Sequence, residues 1–150
     1  MSYWVWDSAL EIGIDVIDGQ HRRIVDYIND LHEAHSNHDH DQVTQILMGL
    51  VDYTVTHFAF EEDLMTQAGY PLSDSHKKVH ESFIAHIKNY KKEHEKGRDI
   101  ARKLMSELQI WLTNHIKNED RHYVPYANEV LGRKKSWLKK ALGGFFGSGK

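Results

Sequence analysis

The 150-residue chain contains no cysteine. This absence excludes disulfide bonds, cysteine-ligated iron–sulfur clusters and thiol nucleophiles. The chain also lacks any run of 18 apolar residues, so we expect no membrane-spanning helix. Its first residues, MSYWVWDSALEIG, have neither a basic start nor an apolar stretch and are not typical of a secretory signal. These absences favour a cytoplasmic protein.

Proline is scarce, and no segment alternates apolar and polar residues as a half-buried strand would. Four segments instead carry apolar residues at helical spacing. We predict helices that begin near Asp18 as the N-cap, span about 41–68, run from about 74 to 95, and begin near 99, with Pro125 kinking or ending the last. Short connections between such helices predict an all-α fold, an antiparallel up-down-up-down four-helix bundle. Residues 1–17 should form an N-terminal arm that packs over it.

Charge divides the chain into two parts. Residues 1–132, the predicted bundle domain, hold 13 Lys and Arg against 22 Asp and Glu, whereas residues 133–150 hold six basic residues and no acidic ones. The acidic body argues against nucleic-acid binding, which needs a cationic face. The basic amphipathic tail suits weak contact with a membrane or an acidic protein, and a frayed, soluble tail is the favoured alternative. No broad apolar face is evident on the body, so we expect a monomer.

Histidine is abundant, with 12 residues, and several interrupt the apolar stripes of the predicted helices. A buried carboxylate or imidazole must pair, change its protonation state or bind a metal. Residues four apart share one face of a helix. The polar residues in the stripes are His21 on the first helix, His57 and Glu61 on the second, His76 and His80 on the third, and His115 on the fourth.

Any one of these histidines alone is more simply explained as a hydrogen-bonded core residue. Together they predict a metal site in the bundle core, and their number exceeds what one tetrahedral zinc ion needs. The zinc-protease motif H-E-x-x-H is absent. The ferritin-like di-iron pattern needs two E-x-x-H motifs, and only Glu119 with His122 fits it.

Four short motifs together resemble the hemerythrins, in particular the single-domain bacterial members. They are DGQH (18–21), HFAFE (57–61), HKKVH (76–80) and HIKNED (115–120), and the resemblance covers about residues 4–131. It implies a non-haem di-iron centre, with two Fe ions and a bridging oxo or hydroxo group. It also implies reversible O₂ binding for transport, storage or delivery rather than enzymatic turnover. The alternative is a di-iron enzyme or sensor that reacts with O₂, peroxide or nitric oxide.

The resemblance also implies a ligand set. One iron would be held by His76, His80 and His115, and the other by His21 and His57. Glu61 and Asp120 would bridge the two irons.

Helix geometry conflicts with one of these assignments. Glu119 lies four residues after His115 and should share its face, whereas Asp120 lies five residues on and is displaced by about 140° around a regular helix. The family pattern nevertheless favours Asp120, which leaves Glu119 as a solvated or outer charge.

A dry pocket should surround the O₂ site. The candidates are Trp111, Leu112, Phe58, Ile24 and Ile28, although all five are equally consistent with an ordinary core. The remaining histidines have less definite roles. His32, His35, His38 and His40 surround the first connection and form either a second, weak metal site or a solvated polar loop, and His86, His94 and His122 have no evident partner.

Overall fold

The computed structural model describes residues 3–133 and, within that range, contains helices and turns but no strand. A 3₁₀ turn, Ser8–Leu10, precedes helices α1 (Asp15–Ser36), α2 (His40–Ala68), α3 (Ser73–Glu95) and α4 (Ala101–His115), then a π-helical turn (Ile116–Asp120) and helix α5 (Arg121–Arg133). Helix α4, the π-turn and α5 together form the fourth rod of a four-helix bundle. The predicted all-α fold is confirmed. Residues 134–150, with most of the predicted tail, lie outside the described residues.

The apolar stripes of the helices meet in one core. Helix α1 packs against α2 and α4, and α2 also packs against α3 and α5. Leu31, Leu47, Leu50 and Leu64 are completely buried, and burial of a leucine side chain contributes about 1.5–3 kcal/mol. Between residues 3 and 133, no helix has both the length and the apolar character that crossing a bilayer would require.

Local sequence signals explain both ends of α2. Asp39 caps α2 by accepting a hydrogen bond from the backbone N–H of Gln42 at 3.0 Å. Gly69 ends the same helix in the left-handed conformation, with φ of 66°, which glycine adopts without steric cost. Both ends lie within one residue of the predicted bounds.

The predicted N-cap of the first helix is wrong. Helix α1 begins at Asp15, and Asp18 lies buried inside its first turn. The Asp18 carboxylate instead accepts hydrogen bonds from the backbone N–H groups of Ile12, at 2.9 Å, and Gly13, at 3.2 Å. An aspartate side chain can accept hydrogen bonds from backbone amides of the segment before a helix as well as from those of the first helical turn. Here these hydrogen bonds attach the arm to α1.

The arm packs over the bundle as predicted. Trp4 and Leu10 are buried. The backbone N–H of Trp4 donates to the Asn29 side chain at 2.8 Å, and the Asn29 amide donates back to the Trp4 carbonyl at 2.8 Å. The Arg121 guanidinium also donates to the carbonyl of Ala9. These contacts join the arm to both α1 and α5.

Pro125 does not end the fourth rod, contrary to one of the two predicted outcomes. Helix α5 continues through it to Arg133. The regular hydrogen-bond ladder is already interrupted at the π-turn, so Pro125 removes only a bond that would follow directly on that interruption.

Candidate metal centre

The structure brings all seven predicted ligands together in the core. Each is 4% exposed or less: His21, His57, Glu61, His76, His80, His115 and Asp120. Their ligating atoms form two groups, within each of which the atoms all lie within 4.8 Å of one another. The larger group contains Glu61, His76, His80, His115 and Asp120, and the smaller contains His21, His57 and Glu61.

Asp120 connects the two groups through its two oxygens. Its Oδ2 atom lies 3.1 Å from Nε2 of His21. Its Oδ1 atom lies 3.0 Å from Nε2 of His76 and 3.0 Å from Nε2 of His115. Each oxygen of one carboxylate therefore faces a different set of imidazoles.

Glu61 also lies between the two groups. Its Oε1 atom is 3.2 Å from Nε2 of His57 and 3.4 Å from Nε2 of His80. The other oxygen, Oε2, accepts a hydrogen bond from the hydroxyl of Tyr123. Tyr123 is completely buried, so this phenol fixes the orientation of the carboxylate.

Most inner atoms of the cluster approach one another without forming hydrogen bonds. Nε2 of His21, His57 and His76, Oε1 of Glu61 and both carboxylate oxygens of Asp120 are buried and lack a hydrogen-bond partner among the described residues. The exception is the pair of Nε2 atoms of His80 and His115, which lie within hydrogen-bonding distance at 3.1 Å.

Such unsatisfied atoms are rare in protein interiors. Two ligand atoms bound at right angles to one metal ion lie roughly 3 Å apart, which matches these spacings. The donor set thus fits metal ions.

Outer contacts orient three of the five imidazoles. Nδ1 of His57 lies 2.5 Å from Gln20 Oε1, Nδ1 of His80 lies 2.9 Å from Glu62 Oε2, and Nδ1 of His115 lies 3.2 Å from Glu119 Oε2. An acceptor at Nδ1 keeps the proton there and leaves the Nε2 lone pair for a metal. The arrangement is that of metal-ligating histidines.

Two of these outer residues were not predicted. Gln20 is completely buried and lies on the stripe between Ile17 and Ile24, so a glutamine among apolar residues was a usable signal. Glu62 follows the predicted ligand Glu61 directly and is half-buried. Adjacent residues of a helix point in directions about 100° apart, so the sequence did not indicate that both side chains face the centre.

The π-turn resolves the conflict between Glu119 and Asp120. The backbone N–H of Arg121 bonds to the carbonyl of Ile116, five residues back rather than four. The wider turn moves the fifth residue onto the face of the first, and such turns are frequent at functional sites. Asp120 is consequently buried, whereas the Glu119 side chain is 37% exposed and contacts the outer nitrogen of His115.

The carboxylates shift the protonation of the imidazoles around them. Burial is the dominant influence on His57 and lowers its pKa despite the adjacent Glu61. Burial also disfavours a charged His115, but Asp120, Glu119 and Glu61 outweigh it and raise the pKa of His115 to about 10. Burial would raise the pKa of Asp120, but His115 and its other imidazole neighbours hold it well below the usual range.

Aromatic side chains cover part of the three-histidine group. Phe58 stacks on His80 with ring centroids 3.7 Å apart, and Trp111 stacks on His115 at 4.4 Å. The other predicted pocket residues, Ile24, Ile28 and Leu112, are buried in the core within two turns of a predicted ligand. Their role as an O₂ pocket stays a prediction.

Most of the remaining histidines have partners in the structure. His86 contacts Glu107 at 2.6 Å, and Nε2 of His94 lies 2.7 Å from the hydroxyl of Thr44. The ring of His32 lies against Tyr3. His122 is exposed.

Comparison with known proteins decides the family. The family model of the hemerythrin HHE cation-binding domain matches residues 12–127. The chain belongs to the hemerythrin family. Among curated relatives, it is 43% identical to the bacteriohemerythrin of Pseudomonas aeruginosa strain PAO1, with 98% of this chain and 100% of the relative covered.

More distant hemerythrins also match this chain over most of their length. The bacteriohemerythrin of Clostridium acetobutylicum is 31% identical over 81% of this chain and 98% of its own. The crystal structure of a wild-type hemerythrin superposes with a TM-score of 0.79 at 27% identity, covering 84% of this chain and 98% of that one. The hemerythrin fold therefore covers most of the chain.

Proposed function

We propose that this chain binds O₂ reversibly at a pair of non-haem iron ions and serves in oxygen transport, storage or delivery, with residues 1–132 as the binding domain. The observation that carries the proposal is the position of Asp120. Its two oxygens face the two histidine groups separately, at 3.1 Å from His21 and 3.0 Å from His76. One carboxylate so placed suits two metal ions, not one.

The assignment of ligands follows the two groups. His76, His80 and His115 would hold one iron, and His21 and His57 the other. Glu61 and Asp120 would contact both. The smaller group supplies fewer protein donors, so the iron held there would be the one open to O₂.

When bound, the iron pair supplies the electrons that O₂ takes up and returns. The surrounding residues hold the imidazoles in position and limit the access of water to the centre. Gln20, Glu62 and Glu119 orient the imidazoles from outside, and the Tyr123 hydroxyl is committed to Glu61. Phe58 and Trp111 cover imidazoles with apolar rings, which excludes water from the three-histidine side.

The donor composition favours a carrier over an oxidase. Five imidazoles and two carboxylates make up the inner set, whereas the ferritin-like di-iron centres are built largely from glutamate. Neutral imidazoles leave more positive charge on the metal pair, and that charge opposes further loss of electrons.

The test is a cycle of oxygenation. The protein would be loaded anaerobically with Fe(II), exposed to air and then degassed, with visible absorption recorded over several cycles. A charge-transfer band that forms in air and disappears on degassing would support the carrier. A band that forms once and decays while oxygen is consumed would point to the enzyme or sensor alternative.

Two other expectations from the sequence stay predictions, namely the monomeric state and the cytoplasmic location. Contact of the tail (133–150) with a membrane or an acidic protein is likewise a proposal. Gel filtration and vesicle sedimentation of the full chain, with a variant truncated after residue 132, would test the first and the third.

A further inference from the structure

A second histidine cluster lies where α1 ends and α2 begins. It surrounds a cavity of ≈ 220 Å³, here named the cap cavity, whose polar lining comprises His35, His38, Asp39, His40, His94 and Asp99, beside Arg98. None of these residues belongs to the metal centre. His35 lies 14 residues after His21 on α1, which places the cap cavity about 21 Å along the helix from the centre.

Three imidazoles of the cap cavity are accessible and come from three consecutive structural elements. His35 lies in the last turn of α1 and is half-buried, and His40 is the first residue of α2. His38 occupies the turn between them with φ of 55°, a left-handed conformation that is uncommon outside glycine. The short motif HSNHDH thus presents three imidazoles around one turn.

Carboxylates complete the cluster. Nε2 of His35 lies 3.1 Å and 3.5 Å from the two oxygens of Asp99, whose side chain is 78% exposed. Asp99 belongs to the connection that precedes α4, so the pair links the connections α1–α2 and α3–α4 at one end of the bundle.

His94 serves as a platform rather than as a ligand. It is 4% exposed, and its Nε2 atom lies 2.7 Å from the hydroxyl of Thr44. The ring of His40 stacks on it, with centroids 4.2 Å apart and planes 16° from parallel. This stack restricts the orientation of the His40 imidazole.

The charge of the cap cavity favours a cation over an anion. Its one guanidinium, Arg98, forms an ion pair with Glu93. The carboxylates of Asp39 and Asp99 then leave the lining negative when the histidines are neutral. Imidazole with carboxylate is a donor set for zinc, copper and nickel.

We propose that the cap cavity binds one divalent transition-metal ion through His35, His38, His40 and Asp99, independently of the iron centre. Within residues 3–133, the groups of three or more potential ligands whose ligating atoms already lie within 4.8 Å of one another belong to the iron centre alone. The cap ligands are exposed or half-exposed, so rotation of their side chains must close the site. We therefore expect weaker binding here than at the centre.

The experiment counts metal ions on the full-length protein. The centre would first be filled with iron and left to oxidise in air, and Co²⁺ would then be titrated in while d–d absorption and native mass spectra are recorded. The test variant is His38→Ala with His40→Ala. The matched control is His86→Ala, which removes an exposed imidazole outside the cap cavity.

Wild type and His86→Ala should bind one Co²⁺ beyond the two irons. The double variant should lose at least about 100-fold in Co²⁺ affinity, because loss of even an outer partner of a metal ligand lowers metal affinity by about 10–100-fold. A variant with a disabled centre, His115→Ala, should retain the cap ion. Absence of a further Co²⁺ equivalent in wild type, or equal binding by the double variant, would overturn the proposal. Failure of iron loading would contradict the proposed function, and Co²⁺ would then also enter the empty centre; the difference in Co²⁺ count between wild type and the double variant would still report the cap ion.

Discussion

Replacement of the two neighbouring acidic residues of the π-turn gives the sharpest test of the centre. Asp120 is completely buried and its oxygens lie 3.0–3.1 Å from three imidazole nitrogens. Glu119 is 37% exposed and makes one approach, 3.2 Å from the outer nitrogen of His115. Asp120→Asn should therefore be far more damaging to iron binding than Glu119→Gln.

The expected magnitudes follow from these contacts. Asparagine keeps the shape of Asp120 but loses its charge and replaces one oxygen with an amide nitrogen, which does not bind a metal. Since one histidine group loses its Asp120 oxygen and the other keeps only a neutral carbonyl oxygen, iron affinity should fall by at least about 100-fold, or about 2.8 kcal/mol. An outer partner is worth about 10–100-fold, and solvent screening should hold the effect of Glu119→Gln near the lower end.

Iron per chain, measured after anaerobic loading and competition with a chelator, separates the two variants. Circular dichroism of the metal-free proteins controls for folding. Retention of two irons by Asp120→Asn, together with their loss from Glu119→Gln, would refute the assignment. In that case the residue at regular helical spacing would be the ligand, and the π-turn would not position the site.

Three further substitutions test the surroundings of the centre. Tyr123→Phe removes the hydroxyl that donates to the Glu61 carboxylate. Urea denaturation of the metal-free protein should show a loss of about 1.5–3 kcal/mol in the free energy of unfolding, the range for hydrogen bonds to charged groups. An unchanged denaturation midpoint would contradict the contact. Phe58→Ala removes the ring stacked on His80 and should cost about 3–5 kcal/mol in the same assay, so a cost below 1 kcal/mol would contradict tight packing there. Asp18→Ala leaves two arm amides unsatisfied and should make the arm sensitive to limited proteolysis, whereas resistance equal to wild type would show that the arm is held by other contacts.

The sequence was informative where a residue type conflicted with its position. A histidine such as His21 or His57 in an apolar stripe is detectable because the stripe itself is regular, and Gly69 marks a helix end by its own conformational freedom. The family motif supplied Asp120, which spacing alone had rejected.

Other features depend on tertiary structure. The π-turn forms where residues on both sides of it are held in one core. The amino acids of Ile116–Asp120 have no local propensity that predicts a backbone hydrogen bond to the fifth residue back. Asp18 was misassigned because a capping carboxylate and one that binds a distant amide look alike in sequence. The contact of Glu62 with His80 depends on how α2 and α3 are rotated against each other.

The π-turn also absorbs one residue without rotating the helix that follows it. In a regular helix the fourth residue after His115 would share its face, and here the fifth residue does so instead. Tyr123, Ala127 and Val130 are buried because they follow Asp120 at the spacing of one helix face. Positions 117 and 118 are exposed, and deletion of one of them should leave a regular turn with α5 still facing the core. Insertion of a residue there should instead rotate α5 by about 100° and turn the Tyr123 hydroxyl away from Glu61.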